Sequence, residues 1–186
     1  MSIINTPDPS DEAVADLYGP ELADLGYVPS HTRLMATNPE ASRAFQQLVA
    51  AIVSQLGVRR FELATLAAAD AVGSQACRYA HGRKSLKLFK EEQLRLIACD
   101  FHDAQLSVAE VALMDFAKKL SQDSASMTDA DSLRLREVGF SDREIVDIAL
   151  AASIRNYFSR ALHALAVEVD VPPGLSPSLK DALTPR

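Results

Sequence analysis

The stretch Glu62-Leu63-Ala64-Thr65-Leu66-Ala67-Ala68-Ala69-Asp70-Ala71-Val72-Gly73-Ser74-Gln75-Ala76-Cys77-Arg78-Tyr79-Ala80-His81 decides how this chain is read. Its first half is dense in alanine, the strongest helix former. Small side chains let helix backbones approach closely, so this helix is expected to be central and covered on several sides. Gly73-Ser74 then breaks the helical run, and Ser74 is a natural N-cap for a second helix that begins just before Cys77. Glu62 stands out in the alanine-rich helix, because an unpaired buried carboxylate is costly. It needs a partner or a raised pKa.

Three reactive side chains cluster around this junction: Glu62, Cys77 and His81. Cys77 falls in the first turn of the second helix, where partial positive charge and free N–H groups favour thiolate over thiol. His81 follows four residues later on the same face, placed to take the thiol proton or return one to a leaving oxygen. If the two helices pack antiparallel about Gly73, Glu62 lies ~16 Å from the bend and His81 ~12 Å, at 1.5 Å rise per residue. A glutamate side chain spans that offset. The arrangement is then a carboxylate orienting an imidazole that activates a thiol. The same spacing also fits a plain alternative, a small buried cysteine with a histidine one turn on by coincidence. Zinc is a third reading, but one thiolate among three ligands makes a poor structural site. No metal and no cofactor are expected.

Outward from this core, nearly every segment has helical period and none alternates as a strand. Helices are expected over Ser10–Gly19, from Asn38-Pro39 to about Gln55, over Val58–Val72, from Ser74 to about Phe89, and near Glu91–Cys99. Pro29-Ser30-His31 reads as a break. Ser107, Thr128 and Ser141 each precede an acidic residue by three, the capping signature of a helix start. The last of these opens a helix to about Val167, with core positions at Ile145, Ile148, Ala149, Ala152, Leu162 and Leu165. Arg160 is the charge that stands out in it, expected to pair with a carboxylate or to cross a subunit contact. Pro172-Pro173-Gly174 then ends regular structure. The expected fold is an all-α bundle of about eight or nine helices in one domain over residues 1–186, with an N-terminal arm over about 1–20 and a C-terminal tail over about 171–186.

Composition limits the partners. The 186 residues are 48% hydrophobic and carry a formal charge of −6, which argues against nucleic acid. No run approaches the ~18–20 apolar residues of a membrane span, and the start of the chain lacks the basic and apolar regions of a signal peptide. Two cysteines, Cys77 and Cys99, make no secreted disulfide framework, so a reducing cytoplasm is expected. Leu96-Ile97-Ala98-Cys99 reads as an apolar helix face, which puts Cys99 in the core. His31, His102 and Asp103 are read as loop or helix-end residues without a role. Tyr79 is read as packing at a helix interface or hydrogen-bonding in the site.

The stretch Glu62–His81 resembles the core of the alkylhydroperoxidase AhpD / carboxymuconolactone decarboxylase family, whose pattern is Glu, eleven residues, Cys-x-x-Cys, three residues, His. In that register Glu62, Cys77 and His81 fall on the glutamate, the second cysteine and the histidine, and Ser74 replaces the first cysteine. The flanks Gly26–Pro29, Asn38–Glu40, Asp115–Lys118 and Gly139–Val146 match the peroxidase-related branch, so the resemblance covers about residues 20–171. It implies a helical, oligomeric oxidoreductase acting on hydroperoxides, with Cys77 as nucleophile, His81 as acid/base, Glu62 as orienting group, and Ser74 and Tyr79 in support. With Ser74 in place of a cysteine, the family's internal disulfide cannot form. A peroxidase cycle must then oxidise Cys77 to sulfenate and use an external thiol reductant.

The wider family name implies an alternative, a lyase or isomerase of a small organic acid using Glu62 and His81. A non-catalytic oligomeric binding protein is a third reading. A homo-oligomer, a dimer or an assembly on threefold symmetry, is expected from the resemblance and from the long last helix. That helix carries Ile154, Tyr157, Phe158 and Leu162 beyond a single stripe. An internal echo places Glu144, Asn156, Ser159 and His163 in register with Glu62, Ser74, Cys77 and His81, which suggests a degenerate duplication.

Overall fold

Nine consecutive residues, Phe61 to Ala69, are buried on every side of one helix, α4 (Val58–Ala71). A helix covered all round needs neighbours all round, and its alanines admit them at close range. In the computed structural model, which describes residues 3–185, α3 (Pro39–Leu56), α5 (Gln75–Ser85), α7 (Val108–Gln122) and α9 (Asp142–Ala164) pack against it. Around this centre lie α1 (Glu12–Leu25), α2 (Ser30–Met35), α6 (Glu91–Cys99), α8 (Asp129–Glu137) and α10 (Pro177–Leu183). The described residues therefore form an all-α fold of ten helices, one or two more than the sequence suggests.

The local signals act as expected at several starts. Ser107 and Ser141 each accept from the N–H three residues on, while Glu110 and Glu144 reach back to the cap N–H groups. Asp131 likewise accepts the Thr128 N–H at 2.8 Å. Asn38 caps α3, with Pro39 in its first turn.

Four expectations need correction. The first helix does not stop at Gly19. It continues through Pro20, whose missing N–H lies on the solvent side, and ends at Gly26, in the left-handed region at φ 78°. Pro29-Ser30-His31 is not a break but the start of α2, tied down by Asp170, whose carboxylate accepts the Ser30 N–H at 2.6 Å. The helix after Ser74 ends at Ser85 rather than near Phe89. Beyond Pro172-Pro173-Gly174 the chain does not trail off: Ser176 caps α10, Pro177 takes its first turn, and Leu179 and Leu183 are buried against α6 and α5. Met1, Ser2 and Arg186, at the limits of the expected arm and tail, lie outside the described residues.

The turn between α4 and α5 positions the reactive stretch. Gly73 takes φ 67°, and the N–H groups of Gly73 and Ser74 bond back to the carbonyls of Asp70 and Ala69. This paired closure ends α4 and reverses the chain within two residues. α5 therefore runs back beside α4.

Candidate functional site

The hairpin of α4 and α5 brings together two residues nineteen apart: His81 Nδ1 lies 2.7 Å from Glu62 Oε2. Both side chains are buried, so the bond is sheltered from water. Burial works to raise the Glu62 carboxyl, but the His81 ring and the charges of Lys84 and Arg155 hold it below its ordinary value. Burial, and then the Arg155 charge, push His81 down to about 4 against the opposing pull of Glu62. At neutral pH the pair is therefore an ionised carboxylate accepting from the Nδ1–H of a neutral imidazole. Glu62 has found a partner, and its pKa is lowered rather than raised.

Cys77 is the third residue of α5, inside its first turn, and only 2% exposed. Its sulfur accepts from two donors on α9: Arg155 Nη1 at 3.4 Å and Ser159 Oγ at 3.2 Å. Sequence reasoning missed Arg155. The inward face of α9 reads Ile148, Ala152, Arg155, Ser159, Leu162, spaced by three or four, and Arg155 sits in that row. The charge singled out from sequence, Arg160, is one residue past Ser159, about 100° round the helix, and is exposed.

Cys77, His81, Glu62 and Arg155 all line one cavity of about 440 Å³. Its other walls are largely apolar, with Phe45, Val49 and Val53 from α3 and Phe158 and Leu162 from α9. Phe45 and Phe158 meet at 4.7 Å between ring centroids. His31, given no role from sequence, also lines the cavity, edge-on to Phe158, and burial lowers its pKa to about 4. A cavity of this size, apolar on most sides with reactive groups converging at one wall, suits a small organic molecule.

Other sequence candidates stand apart. Tyr79 lies two residues from both Cys77 and His81, about 200° round the helix from each. It points away from the cavity, bonding Gln75 Nε2 and Thr184 Oγ1 at 2.8 Å each. Ser74 occupies the N-cap position of α5, but its buried hydroxyl caps nothing and has no hydrogen-bond partner among the described residues. Cys99 is exposed, not in the core. The inward residues of α6 are Leu94 and Ile97, and Cys99 is two residues past Ile97, on the opposite side. It borders a separate recess with Asp70, Arg78 and His102. The suggested duplication does not hold, because α9 runs unbroken through Asn156 where α4 and α5 fold back at Ser74. Among the described residues no cluster of three or more His, Cys, Asp or Glu side chains is placed to hold a metal ion, and no helix is long and apolar enough to cross a membrane.

No family model matches the sequence, and no curated protein matches it. Solved structures do. An uncharacterized peroxidase-related protein from Silicibacter sp. TM1040 superposes with a TM-score of 0.81 at 26% identity, over 93% of this chain and 92% of that one. An alkylhydroperoxidase AhpD core protein, also peroxidase-related and uncharacterized, from Ralstonia eutropha JMP134 gives 0.79 at 22% identity, over 100% and 98%. A variant of the debrominase Bmp8, solved in complex with 2,3,4-tribromopyrrole, gives 0.76 at 17% identity over 98% of each chain.

Proposed function

We propose that this chain, which has the fold of the alkylhydroperoxidase AhpD / carboxymuconolactone decarboxylase family, is a thiol-dependent oxidoreductase that reduces organic hydroperoxides through Cys77. One observation carries the reading: the Glu62–His81 bond and the Cys77 sulfur open on the same largely apolar cavity. An apolar cavity favours a hydroperoxide with a hydrocarbon or aromatic body over hydrogen peroxide.

The cycle balances with one cysteine. The Cys77 sulfur attacks the distal peroxide oxygen, an S–O bond forms as the O–O bond breaks, and an alkoxide leaves. His81, held by Glu62, takes the thiol proton and passes it to that alkoxide, so thiol and hydroperoxide become sulfenic acid and alcohol. One external thiol then displaces water to give a mixed disulfide. A second releases Cys77 as thiol and departs as the oxidised disulfide. Cys99 takes no part, since it borders a different recess.

The chain works in the reducing cytoplasm as a homo-oligomer, a dimer or an assembly on threefold symmetry. The half-exposed apolar residues Val146, Leu150 and Tyr157 on α9, with Leu48 on α3, support self-association. The test is turnover of cumene hydroperoxide with dithiothreitol. Wild type is expected to consume it and Cys77→Ser to be inactive. Full activity in Cys77→Ser, or none in wild type, would refute the reading.

A further inference from the structure

Among the described residues, Arg155 is a buried cation with no carboxylate at ion-pair distance. It is 3% exposed on the inward face of α9, and its Nε has no hydrogen-bond partner. The Glu62 carboxylate feels this charge without reaching ion-pair distance. Burying a charge without an anion in contact is costly, so a residue kept in this state gains from a counter-charge that touches it. Its Nη1 reaches the Cys77 sulfur at 3.4 Å, and the Phe158 ring lies 5.6 Å from the guanidinium carbon. Ser159, one turn further along α9, aims its hydroxyl at the same sulfur from 3.2 Å.

The other basic group at this wall does not supply the charge. His81 is bonded to Glu62 through Nδ1 and is neutral near pH 7, because burial and the Arg155 charge lower its pKa to about 4. A neutral imidazole can relay a proton but offers no fixed positive charge to a thiolate. The remaining titratable or charged groups lining the cavity are Glu21 from α1, His31 from α2, Glu62 from α4 and Lys84 from α5. None of these is hydrogen-bonded to the sulfur.

We infer that Arg155 is a catalytic residue, the fixed counter-charge that stabilises the negative charge on the Cys77 sulfur as it gives up its proton and attacks, with Ser159 as the second donor. This rests on Cys77 being the nucleophile. It divides the work at the site: Arg155 and Ser159 from α9 set the sulfur, while His81 and Glu62 from the α4–α5 hairpin move the proton. A charge-assisted hydrogen bond to an anion is among the stronger ones.

The test compares wild type, Arg155→Met and Arg155→Lys, each checked for helix content by circular dichroism. Two rates are followed by peptide mass spectrometry: alkylation of Cys77 by iodoacetamide, and its oxidation by cumene hydroperoxide. Arg155→Met is expected to slow both by about tenfold or more near pH 7 and to recover most of the loss near pH 9, where a thiol ionises without help. Arg155→Lys should fall between. An unchanged rate near pH 7, or a loss in a folded variant that the higher pH does not restore, would overturn the inference. Should Arg155→Met fail to fold, Arg155→Lys decides alone: about threefold slowing that vanishes near pH 9 supports the role, and no slowing rejects it. The alkylation arm needs no turnover. A wild type whose Cys77 alkylates but never reduces the hydroperoxide refutes the proposed function, while the Arg155 comparison still gives its own answer.

Discussion

Glu62 Oε2 accepts a 2.7 Å hydrogen bond from His81 Nδ1 across the α4–α5 hairpin, with both side chains buried. That bond fixes the tautomer of His81, leaving Nε2 as the nitrogen free to take a proton. Glu62→Gln keeps the size but removes the charge that favours an imidazolium. The variant should lose about tenfold or more in kcat while its unfolding midpoint shifts little. Steady-state kinetics beside urea denaturation check this, and a loss of stability without loss of kcat would make Glu62 structural.

Acid should begin to destabilise the protein from about pH 6.5 downward. His81 and His31 are both lowered from 6.5 to about 4, chiefly by burial. Between those values the unfolded chain binds protons that the folded chain refuses, so these two histidines make stability fall as pH drops from about 6.5 towards 4 and add no slope above. Exposed His102, raised by its bond to Asp100 and by Asp115, works in the opposite sense above about 6.5. Glu62, lowered from 4.5, adds a loss below that value in the same direction. Urea midpoints from pH 8 down to about pH 4.5 test the sign. A midpoint that does not decline between about pH 6.5 and 4.5 would contradict the neutral, buried histidines.

The α4–α5 pair was legible in the sequence because its partners are close along the chain. Helical rise alone brings Glu62 opposite His81 once Gly73 folds the chain back. Arg155 was not legible, since it is seventy-eight residues from Cys77 and only the packing of α9 on α4, beside which α5 lies, makes them neighbours. The spacing of Ile148, Ala152, Arg155, Ser159 and Leu162 did hold the signal, but an arginine on that face gives no partner to look for. Cys99 was misplaced because four apolar residues in a row do not show which face is inward. Ser176-Pro177, an N-cap followed by a first-turn proline, marked α10, yet a seven-residue helix after Pro172-Pro173-Gly174 carries too little period to stand out.

The last helix is held against the reactive one by a close approach. A Cβ on Gly82 would lie 2.3 Å from Leu183 Cδ1, and Leu183 is buried. Gly82→Ala should therefore cost about 1–3 kcal/mol by overpacking. Leu183→Ala should cost about 2–5 kcal/mol by leaving a cavity. The double variant should lose less than the sum, because the new methyl occupies vacated space. Urea denaturation of the four proteins reads the coupling; strict additivity would mean that the two positions do not touch.

Exposure and reactivity point to different cysteines. Cys99 is exposed and Cys77 is buried against the cavity. A bulky polyethylene-glycol maleimide should label Cys99 first, whereas a small organic hydroperoxide should oxidise Cys77 first. Cys99 reacting first with both reagents would show that access alone sets the rates.

The most direct measurement traps the oxidised sulfur. The protein is mixed with one equivalent of cumene hydroperoxide in the presence of dimedone, digested, and mapped by mass spectrometry. The expected result is a dimedone adduct on Cys77, cumyl alcohol in matching amount, and no disulfide between Cys77 and Cys99. Cumyl alcohol formed with Cys77 unmodified, or an adduct on Cys99 in its place, would contradict Cys77 as the nucleophile.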